Sequence, residues 1–353
     1  MRTLCQLLLF ISILKSQAQS SKVIGIHSRY GQIYQHSKEF EKYQYGTLNV
    51  QGIELTYHIC TNGSKRWQRE WKLPEWGVSL HYNDLGNPAL LGFALGSTIY
   101  VQKFIWEKSQ HAFSYKFAPG LVWISMTHEK NPKNVFVSTH LNFIMETNLL
   151  YHYKITPLMR LNIGGFITHY SNGAIQLPNY GFNMFGCMAG IAHTIRNPSQ
   201  SSVVAFFDEK IAKIWNFDIN LAHAIKSPGN QDPRRFYVGV LSGYANKRLN
   251  YKSGLTLGTD VFYHTSIHAQ IGKSTPVNPW RVGIQCGHEL YVSKVSLLTQ
   301  IGTYIYRPIL VDKPIYWRAG IKCYLSDHYF VGLSLRAHYG QADIIEWGTG
   351  IRL

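Results

Sequence analysis

Ile315-Tyr316-Trp317-Arg318-Ala319-Gly320-Ile321-Lys322-Cys323-Tyr324-Leu325 is the stretch whose reading decides the fold. Ile315, Trp317, Ala319, Ile321, Cys323 and Leu325 share one parity, and Tyr316, Arg318, Gly320, Lys322 and Tyr324 share the other. Successive side chains of a strand point to opposite faces, so one face here is apolar and the other carries two cations. A soluble β-sandwich also alternates, but it seldom leaves Arg and Lys on its inner face with Trp and Ile on its outer one. A barrel wall in lipid requires that arrangement, apolar outward and polar toward the lumen.

The pattern repeats outward from this stretch. In 329–338, Tyr329, Val331, Leu333, Leu335 and Ala337 oppose Gly332, Ser334, Arg336 and His338. In 141–154, Leu141, Phe143, Met145, Leu149, Tyr151 and Tyr153 oppose Asn142, Glu146, Asn148, His152 and Lys154. The last segment sets Trp347, Thr349, Ile351 and Leu353 against Glu346, Gly348, Gly350 and Arg352. Further strands are predicted at 23–35, 47–60, 75–83, 91–104, 112–124, 157–171, 181–196, 214–225, 235–246, 254–266, 280–292 and 293–306. Bacterial single-chain barrels use even strand numbers. The expected fold is therefore all-β: a single antiparallel transmembrane β-barrel of about 14–16 strands, and at least eight. The segment 196–213 reads as a loop with a short helix. Glu146, Arg160, Arg318, Lys322 and Arg336 are expected to line the lumen as a solvated ion-pair lattice.

Composition agrees. Only 15% of the 353 residues are charged, against roughly 25% in an average soluble domain. The chain holds 30 Gly, 23 Tyr and 9 Trp, and no apolar run beyond the N-terminus is long enough for a helical membrane span. The net charge of +16 suits an anionic membrane surface or a phosphorylated substrate. Nucleic acid is disfavoured, because there is no Lys/Arg run and no zinc-finger spacing.

Met1-Arg2, the apolar run Leu4 to Leu14 and Ser16-Gln17-Ala18 form a secretory signal, with cleavage expected after Ala18. The domain organisation expected is a signal peptide over 1–18 and one barrel domain over 19–353. Cys60, Cys187, Cys286 and Cys323 lie far apart without metal spacing, and no His pair forms HExxH, so no metal site is assigned. There is no GxSxG elbow, P-loop or GxGxxG. Trp67, Trp71 and Trp76 sit among Lys65, Arg66, Arg69 and Lys72 and read as interfacial anchors.

The informative segment for function is 157–191, PLMRLNIGGFITHYSNGAIQLPNYGFNMFGCMAGI. Met159, Leu161, Ile163, Gly165, Ile167, His169 and Ser171 share one face, which puts His169 and Ser171 on the apolar, lipid side. Polar groups facing lipid are costly unless they serve something there. Tight turns are periplasmic and longer loops extracellular in such barrels, which places the pair at the outer rim. A serine hydroxyl needs a base within reach to act as a nucleophile, and backbone amides of Asn172, Gly173 and Ala174 are candidates for holding an oxyanion.

His169-Tyr170-Ser171-Asn172-Gly173, followed by Pro178-Asn179-Tyr180-Gly181, resembles the lipid A 3-O-deacylase, or acyloxyacyl hydrolase-like, family of outer-membrane barrels. Asn131-Pro132-Lys133-Asn134 and His140-Leu141-Asn142 add to the likeness, which is close over about residues 131–191. The resemblance implies hydrolysis of an ester-linked acyl chain of lipid A in the outer leaflet of a Gram-negative-type outer membrane, without a cofactor. It makes Ser171 the nucleophile and His169 the general base. Where the family carries a Glu that orients the histidine, this chain has Asn183, on the strand face that His169 occupies. Asn orients an imidazole but cannot stabilise an imidazolium as a carboxylate does. Two other functions fit the same residues: a non-enzymatic channel or structural barrel retaining the motif as a relic, and an outer-membrane phospholipase.

Overall fold

The computed structural model describes residues 20–35, 40, 42–196, 215–229, 234–271, 277–310 and 313–353. The expected signal peptide over 1–18 lies outside these residues, as do 197–213 of the segment read as a loop with a short helix.

Among the described residues sixteen strands alternate as the sequence requires. They are β1 (Lys22–Tyr34), β2 (Asn49–Cys60), β3 (Glu75–Asp84), β4 (Phe93–Lys108), β5 (His111–Ile124), β6 (Leu141–Lys154), β7 (Met159–Ser171) and β8 (Phe182–Arg196). There follow β9 (Trp215–Lys226), β10 (Phe236–Arg248), β11 (Ser253–His264), β12 (Trp280–Val292), β13 (Val295–Tyr306), β14 (Ile315–Tyr324), β15 (Tyr329–His338) and β16 (Gln341–Arg352). Two short helices, α1 (Arg66–Glu70) and α2 (Ile267–Gln270), sit in connections. Trp67 lies on α1 and Trp71 at its end, under Lys103 Nζ at 5.7 Å from the ring centroid.

All neighbouring strands pair antiparallel, but the closure differs from the expected single ring. β8 pairs back onto β1 and β16 onto β9, so the strands close as two barrels of eight. Alternation fixes which face a side chain takes and says nothing about which strand closes on which. Two barrels therefore carry the same pattern as one.

The faces are as predicted. Ile24, Ile26, Leu141, Met145, Ile163 and Ile167 stand exposed on the first barrel, and Leu241, Leu257, Ile301, Trp317 and Leu333 on the second. The polar faces point inward and are buried, where a solvated lattice was expected. The interior of an eight-stranded barrel is just wide enough for side chains to fill it, so the charges are packed against one another and away from water.

In the first barrel Arg29 Nη2 donates to Glu146 Oε2 at 2.7 Å, Thr168 Oγ1 donates to the same oxygen at 2.8 Å, and Lys116 pairs with Glu54. In the second, Arg318 spans Asp260 (3.0 Å) and Glu346 (2.7 Å), Lys322 meets Asp218 at 2.6 Å, and Arg336 meets Asp343 at 2.8 Å. Desolvating an ion costs several kcal/mol unless partners surround it, and these ions have partners on several strands.

Two strand bounds depart from prediction by more than two residues, and for one physical reason. β16 begins at Gln341 because a register shift between Arg336 and Ala337 interrupts the alternation around Asp343, Ile344 and Ile345. β4 runs to Lys108 through another shift between Phe104 and Trp106. A bulge leaves one residue unpaired and breaks the two-residue period on which the reading depends.

In each barrel the connections leaving odd-numbered strands gather at one end. In the first they span 35–48, 85–92, 125–140 and 172–181; two turns at the opposite end span only 109–110 and 155–158. Connections 125–140 and 172–181 build the site.

Candidate functional site

β7 carries the site at its end. Ile163 and Ile167 are exposed while Phe166, Thr168 and Tyr170 are buried, so His169 and Ser171 lie on the outer face. Beneath them Tyr170 anchors the strand: its hydroxyl accepts from Asn83 Nδ2 at 3.0 Å and its ring packs edge-on against Phe182. The β7–β8 register places His169 directly across from Asn183.

His169 Nδ1 and Asn183 Oδ1 are 2.7 Å apart. An amide oxygen only accepts, so this pairing has Nδ1 donating, and in the neutral ring Nε2 then keeps its lone pair. That is the tautomer a general base needs. His169 and Ser171 stand two residues apart on one strand, roughly 7 Å at the backbone.

Ser171 ends β7, and the chain then turns sharply. Gly173 and Ala174 both adopt left-handed backbone, with φ of 64° and 66°. Ser171 Oγ receives two hydrogen bonds there, from Asn179 Nδ2 at 2.8 Å and from the Gly173 amide at 3.1 Å. The oxygen of the same Asn179 side chain accepts the Asn172 amide at 3.1 Å. The Asn172 side chain is buried and donates to the Gln176 carbonyl at 2.8 Å, which closes the loop.

The second connection braces the first. Tyr180 N donates to Val135 O at 3.3 Å, Gly181 N to Phe136 O at 2.9 Å, and Ser138 Oγ to Pro178 O at 2.6 Å. Asn134 shapes the bracing loop by accepting the amides of Phe136 and Val137. Residues 127–139 and 171–181 belong to the same compact unit as the second barrel, while the rest of β7 belongs to the first.

The three residues singled out for catalysis thus sit on adjoining strand ends, with His169 and Asn183 bonded. Of the three backbone amides named for an oxyanion, that of Gly173 is turned to Ser171 Oγ, and that of Asn172 is occupied by Asn179. Asn179 is the group the sequence reading missed. Its motif was visible, but its bonds to Ser171 and Asn172 depend on how the loop folds.

Two groups of potential metal ligands converge inside the first barrel, His58 with Cys60 and Glu75, and Glu54 with His81 and Glu146. Cations already fill both. Arg160 Nη2 donates to Glu75 at 3.0 Å and to His58 Nε2 at 2.8 Å, while Lys116 and Arg29 neutralise Glu54 and Glu146.

Comparison with known proteins bears on this site. The profile of the lipid A 3-O-deacylase family, PagL, matches residues 51–192, and that of the acyloxyacyl hydrolase C-terminal domain matches residues 215–353. The chain belongs to the lipid A 3-O-deacylase family. That membership makes it a hydrolase by family, and the first profile spans β7, the site loop and Asn183. No curated protein sequence matches the chain.

Solved structures similar to the chain include the neisserial surface protein A, at 8% identity over 49% of this chain and 97% of its own, with a TM-score of 0.35. Pseudomonas aeruginosa OccK11 matches at 10% identity over 94% of this chain and 95% of its own, with a TM-score of 0.24. A BenF-like porin from Pseudomonas fluorescens matches at 8% identity over 95% and 98%, with a TM-score of 0.23. None of the three bears on the activity.

Proposed function

We propose that this member of the family is an outer-membrane serine esterase that removes an ester-linked acyl chain from lipid A in the outer leaflet. The observation that carries this reading is the lipid-facing pair of hydrogen-bonded groups at the β7–β8 rim. His169 is held by Asn183 in the basic tautomer, and Ser171 Oγ is held by Asn179 and the Gly173 amide.

In the reaction His169 Nε2 takes the Ser171 proton as Oγ attacks the ester carbonyl. Charge develops on the carbonyl oxygen, and the two donors at Ser171, Asn179 Nδ2 and Gly173 N–H, are nearest to receive it. The amide of Ala174 is the next candidate, since that of Asn172 is held by Asn179 Oδ1. Collapse expels the sugar hydroxyl, protonated by His169, and leaves an acyl-enzyme. Water activated by the same imidazole releases the fatty acid. Asn183 fixes the ring without a charge to offset the imidazolium, so turnover is slower than a carboxylate partner would permit.

The buried ion pairs that fill the first barrel speak against an open channel as the function of that lumen. A phospholipid ester would use the same residues, and the substrate arm of the test separates the two lipids. The test is labelling of the folded, detergent-solubilised protein with a lipophilic fluorophosphonate, alongside turnover of lipid A and of phosphatidylethanolamine. The expected result is adduct on Ser171 and fatty-acid release from lipid A. Folded protein that neither labels nor releases fatty acid from either lipid would overturn the reading.

A further inference from the structure

The connection between β9 and β10 grips the loop that carries the nucleophile, and it does so from both of its ends. At one end Ser227 N donates to Ala174 O at 3.5 Å. At the other, Arg235 Nη2 donates to Gln176 Oε1 at 2.6 Å. The loop is pressed close at Gly173, where an added Cβ would strike the Ile345 side chain. A chain of contacts therefore runs from Arg235 through Gln176 to Asn172, the residue after Ser171.

Arg235 is exposed. A guanidinium has five donors in a planar fork, and its bond to Gln176 fixes its place beside the nucleophile's loop. Arg234, also exposed, lies next to it with its guanidinium 5.5 Å from the Phe236 ring. Asp343, the acid bonded to Lys226 at the start of this connection, is already consumed by Lys226 and Arg336. On the bracing loop 125–140, exposed Lys130 and Lys133 outnumber the exposed Glu129. Among the described residues of these loops the exposed charge is predominantly positive.

We infer that Arg235 is the anion-binding residue of the esterase site and receives a phosphate monoester carried on the same headgroup as the scissile ester. The inference rests on the esterase reading above and names what selects its substrate. Arginine matches phosphate by paired, charge-assisted hydrogen bonds, and the lysine ammonium replaces the charge but not the fork. The β9–β10 connection thereby contributes specificity to the loop that begins at Ser171.

The test compares full-length protein in detergent micelles on phosphorylated lipid A and on the same lipid after enzymatic removal of its phosphates. The readout is the ratio of kcat/KM for the two substrates. Wild-type protein is expected to favour the phosphorylated lipid. Arg235→Gln should shrink that preference by about tenfold, through KM, as for loss of a hydrogen bond to a charged group. Arg235→Lys should retain part of it. Gln176→Ala, which loosens the loop, should slow both substrates alike.

An Arg235→Gln preference equal to wild type, or equal losses on both lipids, would overturn the phosphate assignment while leaving the esterase intact. Failure of wild-type protein to hydrolyse either lipid would instead remove the esterase reading, and this assignment with it.

Discussion

Each barrel ends in a hairpin, and the two hairpins differ where it matters. β7 and β8 are joined by residues 172–181, and their outer face carries His169 opposite Asn183. β15 and β16 are joined by Tyr339 and Gly340 alone, both at positive φ, as a tight turn requires. The outer face of β15 is Tyr329, Val331, Leu333, Leu335 and Ala337, with no histidine or serine. Its one histidine, His338, faces inward and lies 3.7 Å from Asp343.

The interiors, by contrast, follow one plan: buried arginines held by carboxylates, Arg29 on Glu146 and Arg318 on Asp260 and Glu346. The wall is a scaffold that either hairpin shares. What sets the β7–β8 hairpin apart is an outward histidine and a loop long enough to fold donors back onto the strand end.

The largest effect is expected from removing the proposed nucleophile. Ser171→Ala should cut deacylation by roughly 10⁴–10⁶-fold, on the scale of serine-hydrolase knockouts, in a protein that keeps its heat-modifiable gel mobility. His169→Ala should cost a comparable factor, and the double variant little more than either alone, since residues acting as a unit are not additive. Asn179→Ala removes a donor at Ser171 and should lower kcat by about 10²–10³-fold, with a smaller change in KM. Steady-state kinetics on micellar lipid A would show the split.

The smallest effects concern Asn183. Asn183→Leu, which leaves the imidazole without an acceptor, should lower turnover by roughly 10–100-fold, the range for losing an orienting partner. Asn183→Glu should raise it. The carboxylate stabilises the imidazolium that forms as Ser171 is deprotonated. Turnover of Asn183→Glu no higher than that of wild type would detach position 183 from His169 during the reaction.

The strands were legible because a lipid-facing wall enforces a two-residue period, as in 141–154 and 329–338, whose bounds match β6 and β15. The period failed where bulges broke it, at Asp343 in β16 and near Ile105 in β4. Closure was illegible, because the pairing of β8 with β1 depends on contacts between residues far apart in sequence. At the site, parity alone put His169, Ser171 and Asn183 on one face, and the register then set His169 against Asn183.

The work of Asn179 was hidden, since an amide in a turn reveals its partners only when the turn is folded. The bracing of 178–181 by 135–138 and the grip of Arg235 on Gln176 were equally hidden. Neither follows a period, and both join loops brought together only by the folded chain.

The most direct test of the central claim is mass spectrometry of lipid A from cells expressing the wild-type barrel, beside cells expressing folded Ser171→Ala. Lipid A lighter by one acyl chain is expected with the wild type, and unchanged lipid A with the variant. Identical spectra from the two, with both proteins folded in the outer membrane, would contradict that claim.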